Sequence, residues 1–399
     1  MSAAESDAES ASAAAPIVRR DWSARIPALD GVRGIAILLV LLRHAIFGVG
    51  TVLHGEPHSR IAAGFLVAGQ LTWSGVDLFF VLSGFLIGGI LLDARNSPRY
   101  FQTFYLRRAY RILPLYFVVV AVFLFSHLSW FALLARPGRF QPLEIPWWAY
   151  ATFTQNFWMA QLGTFGLTSA GITWSLAIEE QFYLTVPMLI RRIQIRYLPG
   201  VLVAVIVGAP LVRLLLGALL ADHSGISCYV LTPARADGLS LGVLCAFLVR
   251  RQPVWDWLVA RRGLLWTISG ALFCGVGFMT FRGYDAFSPA MTTWGYSWLA
   301  FFYTSFLLLA VTDLGGWLER TLSNRILGRL GTLAYCLYLI HISLMQSFRH
   351  PLSKWIPQSP GAAWIAGGVL GAGAAIVLAT LSWNYFEKPL LKNGHRYQY

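Results

Sequence analysis

Residues 75–92 read GVDLFFVLSGFLIGGILL, an apolar run broken only by Asp77 and Ser83. A stretch of this length approaches the roughly 20 residues an α-helix needs to cross a 30 Å hydrocarbon core. Comparable runs recur at about 35–53, 112–134, 173–190, 200–220, 236–249, 263–281, 291–312, 327–348 and 362–383. Across 399 residues only 12% are charged and 57% are hydrophobic, and mean hydropathy is +0.59. Soluble domains carry about a quarter charged residues, so this composition excludes a string of soluble domains. It predicts an all-α, polytopic integral membrane protein with about ten transmembrane helices. A further stretch, 146–165 (PWWAYATFTQNFWMAQLGTF), holds Gln155, Asn156 and Gln161 between aromatic edges. Amides are disfavoured in lipid and Trp prefers the headgroup level, so it reads as interfacial or re-entrant.

The net charge of +13 has a topological reading. With ten crossings, 22 of the 31 Lys and Arg fall in segments on one side of the membrane. That bias predicts cytoplasmic termini and argues against nucleic acid, because no polar domain gathers the basic residues. Residues 1–24 are Ala/Ser-rich without an apolar core and read as a disordered cytoplasmic tail. Residues 25–390 form the transmembrane domain and 391–399 a short cytoplasmic tail. Cys228, Cys245, Cys274 and Cys336 form no C-x-x-C pair, so neither a disulfide nor a metal site is expected.

Ionisable residues within apolar runs are costly, about 2.5–3.5 kcal/mol each on insertion scales, and so mark candidate sites. LDGVRGIAILLVLLRH places Arg33 and His44 eleven residues apart. On an α-helix that is about 16 Å of rise and about 20° of rotation, so one face carries a cation at the mouth and an imidazole deeper in. A snorkelling Arg with an interhelical His is the structural alternative. In FYLRRAYRILPLY, Arg108 and Arg111 share a helical face with phosphate-gripping spacing, or serve as a topological stop signal. TWSLAIEEQFYL holds Glu179 and Glu180, at least one of which must face a polar interior. One reading has a carboxylate orienting the histidine, another an ion pair with Arg43. Asp237 reads as a cap or a partner of Arg235, His341 as a second intramembrane imidazole, and Glu387 with Lys388 as an interfacial anchor.

Taken in order, LDGVRG with its R-x10-H pair, GVDLFFVLSGFLI, FYLRRAYRILPLY, TWSLAIEEQFYL, ARADGLSLG, LGTLAYCLYLIH and YFEKP resemble the acyltransferase-3 family of integral-membrane O-acyltransferases. The resemblance runs from about residue 27 to 390. It implies a multi-pass protein of the bacterial inner membrane that takes an acyl group, commonly acetyl, from cytoplasmic acyl-CoA. The acceptor it implies is a hydroxyl of a cell-surface glycan or lipid-linked precursor. No permanently bound cofactor is expected; acetyl-CoA is a substrate. The family pair falls on Arg33 and His44 and its RxxR motif on Arg108 and Arg111. The family's frequent G-x-x-S-Y string departs here, running from Gly331 to Ala334 and Tyr335. The extracytoplasmic SGNH hydrolase-like domain of some members is not expected in a chain of this length.

Joined to the charge map, the resemblance gives a working chemistry. Arg33, Arg108 and Arg111 bind the CoA phosphates, and His44 is general base on the acceptor hydroxyl or carries the acyl group transiently. Glu179 or Glu180 orients it, and Asn156, Trp174, Tyr338 and His341 contact the acceptor or the oxyanion. Two other readings stay open: acylation of a small secondary metabolite such as a macrolide, and a polytopic transporter or flippase.

Overall fold

The computed structural model describes residues 21–48, 69–128 and 143–399, excepting 23 and 221, together with 64 and 67. The tail expected over 1–24 therefore lies almost wholly outside the described residues, as do 49–53 and 129–134 of two expected crossings. Ten helices of at least 17 residues occur among the described residues. They are α1 (Pro27–Ala45), α2 (Gly75–Asp93), α3 (Tyr100–Leu128), α4 (Trp174–Arg192), α5 (Leu198–Leu219), α6 (Thr232–Val249), α7 (Arg262–Phe281), α8 (Tyr296–Thr312), α9 (Arg325–Trp355) and α10 (Pro360–Ser382). Lipid offers no partner to a backbone N–H or C=O, so these apolar runs satisfy their backbones internally as helices.

Eight of the ten, some lengthened by a flanking turn, are long and apolar enough to cross a membrane. The two that are not, α1 and α4, span 19 residues each, about 28 Å. They carry the charges that lower their hydropathy: Asp30, Arg33 and Arg43 on α1, and Glu179, Glu180, Arg191 and Arg192 on α4. The expected start of the first crossing at about 35 shifts to Pro27, whose fixed φ suits a first helical turn. His44 consequently stands in the last turn of α1 rather than at its middle. The 146–165 stretch forms two short helices, Trp147–Ala151 and Gln155–Leu162, with Phe153 at φ 54 between them, so it makes no continuous crossing. Gln155 and Asn156 are wholly buried, while Gln161, Trp147 and Trp148 are exposed.

α1 packs against α2, α9 and α10, and α2 lies along α6. At the α1–α9 crossing the backbones nearly touch. A Cβ added at Gly34 would sit 2.2 Å from the Leu327 carbonyl oxygen, and one at Gly331 2.0 Å from that of Asp30. Only glycine permits this approach, as in other small-residue membrane crossings. The strings read from sequence as LDGVRG and LGTLAY are thus the two halves of one contact.

Buried ion pairs join the other helices. Arg213 of α5 bonds Asp237 of α6 at 3.0 Å and Ser297 of α8 at 2.6 Å, and the Ser297 hydroxyl bonds Asp237 at 2.7 Å. Arg235, its guanidinium 3.9 Å from the Tyr296 ring centroid, pairs with Asp77 of α2. The expected pairing of Asp237 with Arg235 is replaced by these two cross-helix pairs, because side chains two apart on a helix point to different faces. The C-terminal residues pack as well: Arg107 and Thr103 of α3 donate to the carbonyls of Tyr397 and Gln398.

Removing one member of a buried pair leaves an uncompensated charge. Asp237→Leu should therefore lower unfolding free energy by about 3–5 kcal/mol, and adding Arg213→Met should recover most of it. Thermal unfolding of the two variants in detergent measures both changes.

Candidate active site

Five helices converge on a cavity of about 300 Å³. Arg33 comes from α1, Ser83 from α2, Arg108 and Arg111 from α3, Glu179, Glu180 and Tyr183 from α4, and Tyr335 and Tyr338 from α9. Glu179 accepts from the Tyr183 hydroxyl at 3.1 Å, and that hydroxyl is 2.7 Å from Ser83 Oγ. Arg108 lies over the Tyr183 ring, 5.7 Å from its centroid. The cations acting on Glu179 are Arg108, Arg33 and Arg111, so the expected alternative of an ion pair with Arg43 gives way to an arginine cluster.

A second cavity of about 540 Å³ adjoins the first. Both are lined by Arg33, Arg108 and Arg111, which form a neck between them. Around the second cavity stand Trp22, Arg25, Arg107, Arg250 and Tyr399. Several of these are already engaged: Arg250 bonds Asp93 through two nitrogens, at 2.7 and 2.8 Å, and Arg25 bonds Asp30 at 2.7 Å. Glu387, expected as an interfacial anchor, is instead buried, accepts from Ser382 at 2.9 Å and acts electrostatically on Arg111. Three guanidinium groups held together in a low-dielectric wall repel one another, and a polyanion between them offsets that repulsion.

His44 lies outside the walls of both cavities. Its Nδ1 is 2.9 Å from the Val40 carbonyl oxygen and 3.2 Å from His341 Nε2, and the two rings are 4.9 Å apart. Tyr338 connects this pair to the first cavity. Its ring is 5.9 Å from that of His341, while its hydroxyl is held by Ser175 at 2.7 Å and donates to the Ile172 carbonyl at 3.1 Å. The glutamates expected to orient His44 face the arginines instead. Of the four expected acceptor contacts Tyr338 alone lines either of these two cavities. Asn156 donates to the Val230 carbonyl and accepts from Gln181, Trp174 packs on Tyr229 with centroids 4.4 Å apart, and His341 is wholly buried.

Arg349 of α9 also belongs to this region. Its Nη2 donates to the carbonyls of His44 and Ala45, its Nε donates to the Trp364 carbonyl at 3.1 Å, and its guanidinium lies 3.6 Å from the Trp364 ring centroid. A cation at a helix C-terminus satisfies carbonyls that have no partner within the helix and favours the helix dipole. Nothing in the RHP string at 349–351 signals this, because the contact joins residues some 300 apart in sequence. Tyr183 was more legible, being four residues after Glu179 and so on its face.

The family model for the acyltransferase domain matches residues 26–383. The chain belongs to the acyltransferase-3 family. Membership and the long apolar helices together make it a multi-pass inner-membrane protein. Among its relatives is the peptidoglycan O-acetyltransferase OatA of Listeria monocytogenes, 26% identical over 92% of this chain and 56% of the relative. A Staphylococcus aureus (strain COL) protein named as a putative O-acetyltransferase is 28% identical over 92% of this chain and 58% of its own length. YrhL of Bacillus subtilis, named as a putative peptidoglycan O-acetyltransferase, is 28% identical over 93% and 56%. The chain thus spans little more than half the length of these curated relatives. No solved structure matches it.

Charge-assisted hydrogen bonds are worth about 1.5–3 kcal/mol, so Arg349→Met should cost stability of that order by releasing the end of α1. Thermal unfolding of the variant in detergent measures the loss.

Proposed function

We propose that this chain is a membrane O-acyltransferase that moves an acyl group, acetyl in the simplest case, from cytoplasmic acyl-CoA to a hydroxyl of a cell-surface carbohydrate. The observation that carries the reading is the neck of Arg33, Arg108 and Arg111 shared by two adjoining cavities. A nucleotide-bearing thioester has its phosphates between a bulky base and a slender arm, and this arrangement suits it. The outer cavity, with Trp22 and Tyr399, takes the base, and the inner one takes the arm. The names of the relatives favour a glycan acceptor, peptidoglycan among them. In this reading α1 and α4 also cross the membrane, giving ten crossings with both termini cytoplasmic.

The arm carries the thioester past Tyr338 toward His44. The imidazole of His44 takes the proton of the acceptor hydroxyl as the oxygen attacks the acyl carbon. The carbon–sulfur bond breaks, and the CoA thiolate leaves and recovers that proton from His44. Glu179 and Glu180 balance the arginine cluster from the opposite wall. That role replaces the orienting one, since their surroundings are Tyr183, Ser83 and the arginines. A transporter gives no reason for three arginines shared by two cavities on one side of an imidazole pair.

Two variants test the division of labour. Arg108→Ala with Arg111→Ala should weaken acetyl-CoA binding by at least about 100-fold, each charge-assisted contact being worth roughly 1.5–3 kcal/mol. His44→Ala should bind acetyl-CoA normally and lose transfer by about 10²–10⁴-fold. Filter binding of radiolabelled acetyl-CoA and ester-linked acetyl content of the envelope read the two. Unchanged binding in the arginine variant would sink the donor assignment.

A further inference from the structure

We infer that His341 is the positioning residue of His44: its bare Nε2 accepts the Nδ1–H of His44, which leaves Nε2 of His44 as the unprotonated nitrogen. The inference rests on the reading of His44 as the base.

The hydrogen-bond roles follow from the acceptors around the two rings. Nδ1 of His341 is 3.0 Å from the Leu337 carbonyl oxygen and 2.8 Å from that of Tyr338. Carbonyl oxygens only accept, so this nitrogen carries the proton. A neutral imidazole with Nδ1 protonated has a lone pair at Nε2. That lone pair faces His44 Nδ1 at 3.2 Å. On its other side His44 Nδ1 meets the Val40 carbonyl oxygen at 2.9 Å. Two acceptors therefore require a proton on Nδ1, and the neutral ring has its base at Nε2.

A catalytic histidine is commonly oriented by a carboxylate, which fixes the tautomer and stabilises the imidazolium. Here the wholly buried imidazole of His341 stands in that position. A neutral orienter avoids a second buried charge at the end of α1, where Arg349 already binds the carbonyls of His44 and Ala45. When the acceptor hydroxyl gives its proton to Nε2 of His44, the Nδ1–H of the resulting imidazolium donates more strongly to His341. The bond tightens as the acyl carbon–oxygen bond forms and the carbon–sulfur bond breaks. It relaxes when the departing thiolate takes the Nε2 proton. His341 is unchanged over the cycle. Both of its ring nitrogens are engaged by protein, so the expected role as an acceptor contact gives way to this one.

The test uses the full-length protein in lipid nanodiscs, with radiolabelled acetyl-CoA as donor and the envelope of a host lacking the protein as acceptor. His341→Leu keeps most of the volume and removes the lone pair. It should lower kcat by roughly 10- to 100-fold, less than loss of His44 because Val40 still holds the tautomer, with the KM for acetyl-CoA unchanged. In His341→Gln the side-chain oxygen reaches the place of Nε2 and should restore kcat to within about threefold of wild type. Equal losses in the two variants would mean that His341 only packs, and would overturn the inference. Wild-type kcat in His341→Leu, with His44→Ala inactive, would overturn it while leaving His44 as base. An active His44→Ala would overturn the base reading first. Nitrogen-15 NMR of histidine-labelled wild-type protein gives a readout free of the acceptor and of variant folding. His44 protonated on Nδ1 is expected, and a proton on Nε2 instead would refute the arrangement.

Discussion

The close crossing of α1 and α9 fixes nearly everything that matters in this molecule. Gly34 and Gly331 bring two backbones within the reach of a single methyl group. Membrane helices gain no hydrophobic drive from one another, so contact of this kind supplies packing that side chains of ordinary size would prevent. From that crossing outward α9 runs alongside α1. Its Tyr335 and Tyr338 reach the cavity that Arg33 enters, its His341 meets His44, and its Arg349 closes the end of α1. Arg33 and the imidazole pair are therefore positioned by the same two rods, toward opposite ends of α1.

Charge inside a low-dielectric interior is the second organising constraint, and it is met in two ways. On the side of α5, α6 and α8, Arg213 and Arg235 are each matched to an aspartate of a neighbouring segment, which ties helices together. In the cavity, Arg33, Arg108 and Arg111 face Glu179 and Glu180 but crowd one another. The first arrangement is self-contained and structural. The second crowds three guanidinium groups of like charge into one cavity wall, an arrangement that a bound anion would relieve.

Much of the candidate site was legible in the chain because helical geometry projects sequence spacing onto a surface. Arg108 and Arg111 share a face by being three apart, and both line the cavity. Glu179 and Glu180 interrupt an apolar run, which already required a polar interior for at least one of them. Partner choice was illegible. Asp237 pairs with Arg213 rather than Arg235, and the carboxylates expected beside His44 line a cavity with three arginines, because those arrangements join helices far apart in sequence. Arg349, Trp22 and Tyr399 carried no local signal, since each gains its meaning from a surface made by other segments.

The sequence by itself determined the solvent of this protein and the inventory of its chemistry. Scarce charge and long apolar runs leave the backbone no choice but helices, and the few ionisable residues within them had to lie on inward faces. The spacing of Arg33 and His44 on one helix was likewise settled by the 3.6-residue turn. Only the tertiary structure decided which of those residues meet. It brought three arginines from two helices to the walls of two cavities, set Glu179 and Glu180 in one of those walls, and gave His44 an imidazole as its neighbour. The physical reason is that a helix fixes the direction of each side chain along its own axis, whereas the partner across a crossing depends on where small residues let two backbones touch.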